Sequence, residues 1–197
     1  MMTSDVKIVL YGLASVGKSS LVMRYKKDTF DGANESTIGA AFCTATLYQG
    51  SDAIKAQIWD TAGMEKFKSV VPMYLRGATV VIFCFDIPNL DNIRDGIRFI
   101  RNTTDARIVL VQTKIDLYRA NLINEDLTNQ LNIFVEREGY KIFHTSAKTG
   151  HSVRELFDYC IITGNKLKKP TQTNERVKLK DSVEVVDAGR YGCCVIN

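Results

Sequence analysis

The chain has 197 residues, with 26 Lys+Arg against 22 Asp+Glu, two His, five Cys and 45% hydrophobic residues. That length implies one domain with a tail, and the apolar content is too high for a disordered chain. The strongest uncharged apolar run, Ala78 to Phe85, falls far short of the ~20 residues a membrane span needs, Asp5 and Lys7 leave no room for a signal-peptide apolar stretch, and a net charge of only +4 argues against a nucleic-acid-coating protein.

Val6 to Tyr11 (VKIVLY) reads as a compact strand, followed by a glycine-framed loop and a helix to about Lys27. Ala40 to Tyr48 and Ala53 to Trp59 read as two strands joined by a hairpin turn at Gln49-Gly50-Ser51-Asp52. Strands over Thr79 to Phe85, Arg107 to Gln112 and Tyr140 to His144 then alternate with helices over Asp91 to Asn102, Glu125 to Glu138 and Ser152 to Lys168. In the last helix Val153, Leu156, Phe157, Cys160, Ile161 and Leu167 fall near helical spacing, and Ser152 with Glu155 has the form of a capping box. The alternation predicts an α/β fold, a mostly parallel six-stranded sheet with helices on both faces and ligand loops at the carboxyl ends of the strands.

After Pro170 the apolar periodicity stops. Residues 1–169 are therefore expected to form the folded domain, and 170–197 a flexible tail. Residues 1–163 carry 19 basic and 18 acidic side chains, whereas residues 164–197 carry seven and four, so most of the excess charge sits in the tail region. Cys43, Cys84 and Cys160 lie in apolar contexts, while Cys193 and Cys194 are adjacent near the end. The odd count, with no secretory signal to be expected, argues for a reducing compartment rather than a disulfide framework.

Gly12-Leu13-Ala14-Ser15-Val16-Gly17-Lys18-Ser19 fits the phosphate-loop pattern between a strand and a helix. Glycines let the backbone turn and approach phosphates, and consecutive N–H groups with the helix N-terminus bind the anion. Lys18 is expected to reach the outer phosphates, and the Ser19 hydroxyl to ligate Mg2+. Asp60, in Asp60-Thr61-Ala62-Gly63, would sit at a strand end near that ion and hold it through water. Thr113-Lys114-Ile115-Asp116 offers a carboxylate to two adjacent N–H donors of a base, a pair that guanine presents and adenine does not. In Ser146-Ala147-Lys148 a backbone N–H could meet the guanine carbonyl oxygen. Asp116 alone would more often be a solvated loop carboxylate; the four fragments in this order, each at a strand end, point to a guanine nucleotide.

With these motifs the sequence resembles the Ras superfamily of small GTPases, and within it the Rab family, over about residues 5–168 and at the end of the tail. Ile58-Trp59-Asp60-Thr61-Ala62-Gly63 and Met73-Tyr74-Leu75-Arg76-Gly77-Ala78 are Rab-like, and Glu35-Ser36-Thr37-Ile38-Gly39-Ala40-Ala41-Phe42 resembles the effector region of the early-endosomal subgroup. The resemblance implies that Thr37 coordinates Mg2+, that Gly63 contacts the γ-phosphate, and that Phe30 and Lys114 pack on the guanine. It adds Ser20 and Thr113 to the nucleotide-binding set, and Ile38, Phe42, Trp59 and Tyr74 to an effector-facing surface. It also implies GTP and GDP as ligands, a monomer, and partners comprising effectors, an exchange factor, a GTPase-activating protein, a GDP-dissociation inhibitor and a prenylation escort. The implied place is the cytoplasmic face of intracellular membranes, endosomal by the eight-residue match, and the cytosol when extracted.

Three departures from the family pattern stand out. Met64 stands where the family has the glutamine that orients the attacking water. A thioether donates no hydrogen bond, and losing one positioning bond slows hydrolysis by about 2–13-fold before any larger misalignment. A slow, GTP-biased switch is expected; a hydrolysis-deficient, permanently GTP-loaded scaffold is the alternative. Thr113 replaces asparagine and keeps one hydroxyl, so bracing between the base loop and the phosphate loop should weaken while Asp116 preserves guanine selectivity. Ala14-Ser15 replaces two glycines, with little expected consequence. In the tail, Cys193-Cys194-Val195-Ile196-Asn197 resembles the Rab double-cysteine terminus and fits C-a-a-X, so Cys193 and Cys194 are the expected lipidation sites.

Overall fold

A computed structural model describes residues 5–32, 39–63, 69–117 and 125–168, together with the backbone of 194–196. The strands are β1 (Val6–Tyr11), β2 (Ala40–Gln49), β3 (Asp52–Thr61), β4 (Val80–Phe85), β5 (Arg107–Gln112), β6 (Lys141–His144) and β7 (Cys194–Ile196). The helices are α1 (Lys18–Lys27), α2 (Val71–Leu75), α3 (Leu90–Thr103), α4 (Glu125–Glu138) and α5 (Val153–Lys168), with one 3-10 turn at Ile115–Leu117.

The sheet order is β6-β5-β4-β1-β3-β2-β7. The six strands expected from the sequence are all present, and β1, β3, β4, β5 and β6 run parallel. β2 is antiparallel to β3, in a register that sets Phe42 opposite Trp59. The seventh strand extends the sheet beyond β2, antiparallel, with Ala40 opposite Ile196 and Phe42 opposite Cys194.

Alternation along each strand sorts the core into two layers. Val6, Ile8 and Leu10 of β1 face a cluster containing Leu21 of α1 and Val153, Leu156, Phe157, Cys160 and Ile161 of α5. Val9 and Tyr11 face the opposite cluster, with Leu75 of α2, Ile93, Ile97 and Ile100 of α3, and Leu131, Phe134 and Val135 of α4. Each fully buried aliphatic or Phe side chain stabilises the fold by about 1.5–3 kcal/mol relative to leaving it in water. The Phe157 ring stacks on Tyr25 at 4.4 Å and locks α5 to α1, a pairing worth about 0.5–1.5 kcal/mol beyond area burial. Helices thus cover both faces, and the strand ends remain free to build a site. Among the described residues, no helix is long and apolar enough to cross a membrane.

The start of α5 differs from the capping-box expectation. Ser152 has a left-handed φ of 50°, whereas a capping-box N-cap is extended, and its carbonyl accepts from Leu156 N at 3.2 Å. The expected flexible stretch Thr171 to Gly192 lies outside the described residues.

Candidate nucleotide-binding site

The loop after β1 is shaped by what surrounds it. Gly12 has φ 149°, and a Cβ there would lie 2.2 Å from the Cys84 carbonyl oxygen of β4, so a side chain at this position would force backbone apart. Gly17, at φ 96°, is the N-cap of α1, and Lys18 begins the helix. The α1 N-terminus thus lies directly after the loop, and the start of a helix is an anion-binding arrangement. Lys18 is buried, and its Nζ donates to the carbonyls of Leu13 at 2.7 Å and Gly12 at 3.1 Å. An ammonium folded onto its own loop is available to phosphate oxygens lying over that loop.

Asp60 stands near the carboxyl end of β3, buried, with one carboxylate oxygen, Oδ1, enclosed and without a partner. Burial pushes its pKa up to about 6, against a hydrogen bond from Ser19 and the charge of Lys18 that hold it down. A carboxylate and a hydroxyl side by side are hard oxygen donors, the set Mg2+ takes. The enclosed, unpartnered oxygen leaves a place where a positive charge fits beside Asp60. Among the described residues, no group of three or more His, Cys, Asp or Glu could hold a metal by itself. An ion at Asp60 and Ser19 would therefore need ligands other than the described His, Cys, Asp and Glu side chains. The next residues also meet the phosphate loop: a Cβ on Gly63 would come 2.6 Å from the backbone of Ala14.

The base end is built from the loops after β5 and β6. Thr113 is buried, and its Oγ1 lies 2.6 Å from the Val16 carbonyl and 3.2 Å from that of Phe85, so the hydroxyl donates chiefly to Val16 across 97 residues. The bridge between base loop and phosphate loop is therefore made by the threonine, despite the missing amide. Lys114 has φ 56°; its Cε passes 4.0 Å from the Cβ position of Gly17, and its Nζ pairs with Asp86 at 3.3 Å. Ser146 Oγ donates to Asp116 Oδ1 at 2.6 Å and accepts from Thr149 N at 3.1 Å. Ser146 and Ala147 are buried, and Phe30 is 41% exposed.

These contacts join the four strand-end loops: Asp60 to Ser19, Val16 to Thr113, and Asp116 to Ser146. The sequence-predicted residues Ala14, Val16, Gly17, Lys18, Ser19, Asp60, Gly63, Thr113, Lys114, Asp116, Ser146 and Ala147 are thereby assembled on one rim of the sheet. Ser15 takes a left-handed φ of 59° within the same loop. Thr37, Ile38 and Met64 lie outside the described residues, as does Cys193. The segments flanking the first three are tied together, since Ala62 N donates to the Gly39 carbonyl at 2.8 Å.

The three expected effector-facing rings form a continuous row. Phe42 and Trp59 centroids are 5.1 Å apart, and those of Trp59 and Tyr74 are 5.9 Å apart. Lys7 Nζ lies 5.1 Å from the Trp59 ring and donates to the Arg76 carbonyl at 2.7 Å. Arg24, which the sequence reading did not single out, reaches from α1 to the loop after β6 and donates to the carbonyls of Ala147 and Lys148. Nothing local in the sequence marks a contact across 123 residues.

Such a rim, with a phosphate loop, a buried carboxylate and a base loop in one hydrogen-bonded set, defines a nucleoside-triphosphate-binding α/β protein. Comparison with known sequences gives the family. The Ras family model matches residues 7–166. The chain is 35% identical to the Ras-related protein Rab-5A of Dictyostelium discoideum, covering 95% of this chain and 94% of that protein. It is 40% identical to the GTP-binding protein ypt5 of Schizosaccharomyces pombe over 80% of this chain and 76% of that one, and 34% identical to the GTP-binding protein YPT53 of Saccharomyces cerevisiae over 91% and 84%. The chain belongs to the Ras family, as a divergent Rab-like small GTPase that binds GTP and GDP and hydrolyses GTP.

Proposed function

We propose that this protein is a slow GTP/GDP switch that regulates vesicle trafficking at endosomal membranes. The observation that carries the nucleotide assignment is the hydrogen-bonded linkage of the Asp60, Ser19, Val16, Thr113, Asp116 and Ser146 positions at one sheet rim. Lys18 and the N–H groups of residues 14–20 hold the phosphates and stabilise charge developing on the γ-phosphoryl in flight. Ser19, Asp60 and Thr37 would hold Mg2+, which would supply neutralising charge to the phosphate oxygens. Asp116 accepts from two N–H donors of guanine, and the Ala147 N–H donates to its carbonyl oxygen. Phe30 and Lys114 cover the faces of the base.

Met64, the departure from the family glutamine, leaves the attacking water without its usual hydrogen-bonding partner. Single-turnover hydrolysis by Met64→Gln is expected to exceed that of the native sequence by about 2–13-fold or more; an unchanged rate overturns this reading. The native methionine at this position also favours a second reading, a GTP-loaded scaffold that does not turn over. Mass analysis of nucleotide carried through purification separates the two, GDP marking a switch that turns over and GTP a scaffold.

Ordering of the Thr37 and Gly63 loops by the γ-phosphate presents Ile38, Phe42, Trp59 and Tyr74 to effectors. Lipids on Cys193 and Cys194 anchor the protein, since two chains give stable membrane binding where one is marginal. Relatives named Rab-5A and ypt5 support the endosomal placement.

A further inference from the structure

Arg24 occupies the last turn of α1, the helix whose first turn forms part of the phosphate loop. Its side chain is only 16% exposed. Nε donates to the Ala147 carbonyl at 2.7 Å and Nη2 to the Lys148 carbonyl at 2.9 Å. Nη1 donates to the Asp28 carbonyl at 2.7 Å and to Asp28 Oδ1 at 2.9 Å. Four of the guanidinium's five N–H donors are thus engaged. The stem passes 3.9 Å from the Cβ position of Gly150.

The geometry explains what these bonds fix. On one side of Ala147, the Ser146 carbonyl accepts from Gly150 N at 2.9 Å, and Ser146 N donates to the His151 carbonyl at 3.1 Å. These contacts set the peptide plane that carries the Ala147 N–H. On the other side, Arg24 holds the next two carbonyls. Ala147 is therefore bracketed, and the direction of its N–H leaves little freedom. Asp28, the third residue the guanidinium meets, is the left-handed C-cap of α1 at φ 52° and stands two residues before Phe30. One planar cation joins the segment that meets the edge of the base to the segment leading to the ring on its face.

We propose that Arg24 is a positioning residue for guanine recognition: by clamping the Ala147 and Lys148 carbonyls to the Asp28 cap, it aims the Ala147 N–H at the guanine carbonyl oxygen. This rests on the proposed base site. A lysine cannot substitute, because an ammonium on a flexible stem does not match the fork of two successive carbonyls and the cap.

The test compares release of fluorescently labelled GDP, and affinities for GDP, 6-thio-GDP and ADP, in the native sequence, Arg24→Gln and Arg24→Lys. Replacing the base oxygen by the larger, weaker-accepting sulfur changes the group that Ala147 meets and leaves the donors to Asp116 in place. The native sequence is expected to prefer GDP over both analogues. Both variants are expected to release GDP about tenfold faster and to lose most of the preference over 6-thio-GDP while keeping that over ADP. A native protein indifferent between GDP and ADP refutes the base site itself. Native indifference to 6-thio-GDP, or variants that lose thermal stability yet retain the native 6-thio-GDP discrimination, overturn the role of Arg24. Should Arg24→Gln not fold, the same reading is taken from Arg24→Lys, which keeps the charge beside Asp28.

Discussion

Replacing Thr113 by valine removes a hydroxyl while keeping the shape of the side chain. The Oγ1 it deletes is the donor to the Val16 carbonyl at 2.6 Å, within a residue only 2% exposed. Valine fills the same volume, so no cavity is created and the cost is that of a carbonyl deprived of its donor. Such a loss is worth about 1–3 kcal/mol, or roughly 5- to 150-fold in an equilibrium constant. Part of it falls on the fold and part on nucleotide binding, because the bond joins the phosphate loop to the base loop. Stopped-flow release of fluorescent GDP, chased with unlabelled GDP, and thermal unfolding of the GDP complex together capture both shares. At this domain size each kcal/mol lowers the midpoint by about 2–4 °C. Thr113→Ser, which retains the hydroxyl, is expected to stay within about twofold of the native release rate. If Thr113→Val left both the release rate and the midpoint at native values, the bridge would not be the brace inferred from its geometry.

Gly96→Ala sets helix propensity against packing: alanine should favour α3 by about 1 kcal/mol, yet its Cβ would come 2.3 Å from the Phe83 ring. Packing is expected to win, with a net loss of about 1–2 kcal/mol in chemical denaturation; a stabilised variant contradicts this. Tyr11, stacked on Phe99 and tilted against Phe83, has its pKa pushed up to about 12 by burial. The native state therefore holds the phenolic proton more tightly than the unfolded chain, so this contribution is full below pH 10 and lost as pH rises towards about 12. Denaturation at about pH 8 and about pH 11 is expected to show a smaller alkaline loss for Tyr11→Phe than for the native sequence; equal losses refute the assignment.

The parts of the fold that were legible in sequence are those whose signals are local. Val6–Tyr11 and Arg107–Gln112 match the expected bounds because each is an apolar run of strand length followed by a turn, and the strands around the Gly50 hairpin run only a little further than expected. The helix Val71–Leu75 has five residues and a proline in its first turn, too few for a period to show. Ser152 followed by Glu155 has the composition of a cap, but the left-handed backbone at Ser152 overrides it. The site divides in the same way. Glycine-framed loops and carboxylates at strand ends are readable because the chemistry constrains neighbouring positions. The reach of Arg24 to Ala147 and of Thr113 to Val16 is set by the stacking of distant strands and helices, which leaves no mark in either segment alone.

The pairing of Cys194–Ile196 with Ala40–Phe42 makes the outer edge of β2 a contested position. A strand edge accepts one neighbour at a time, and this one lies beside the row of Phe42, Trp59 and Tyr74. Cys194 is also a proposed lipidation site, and on that proposal a lipid drawn into a bilayer would compete with completion of the sheet. On the proposed lipid anchoring, attachment to a membrane and vacancy of that edge are thermodynamically linked, and linkage runs in both directions. A partner that adds its own extended segment to β2 draws the tail towards the membrane, and a membrane that holds the tail raises the affinity of the edge for such a partner. On that same proposal, the membrane acts as an effector ligand of the strand edge.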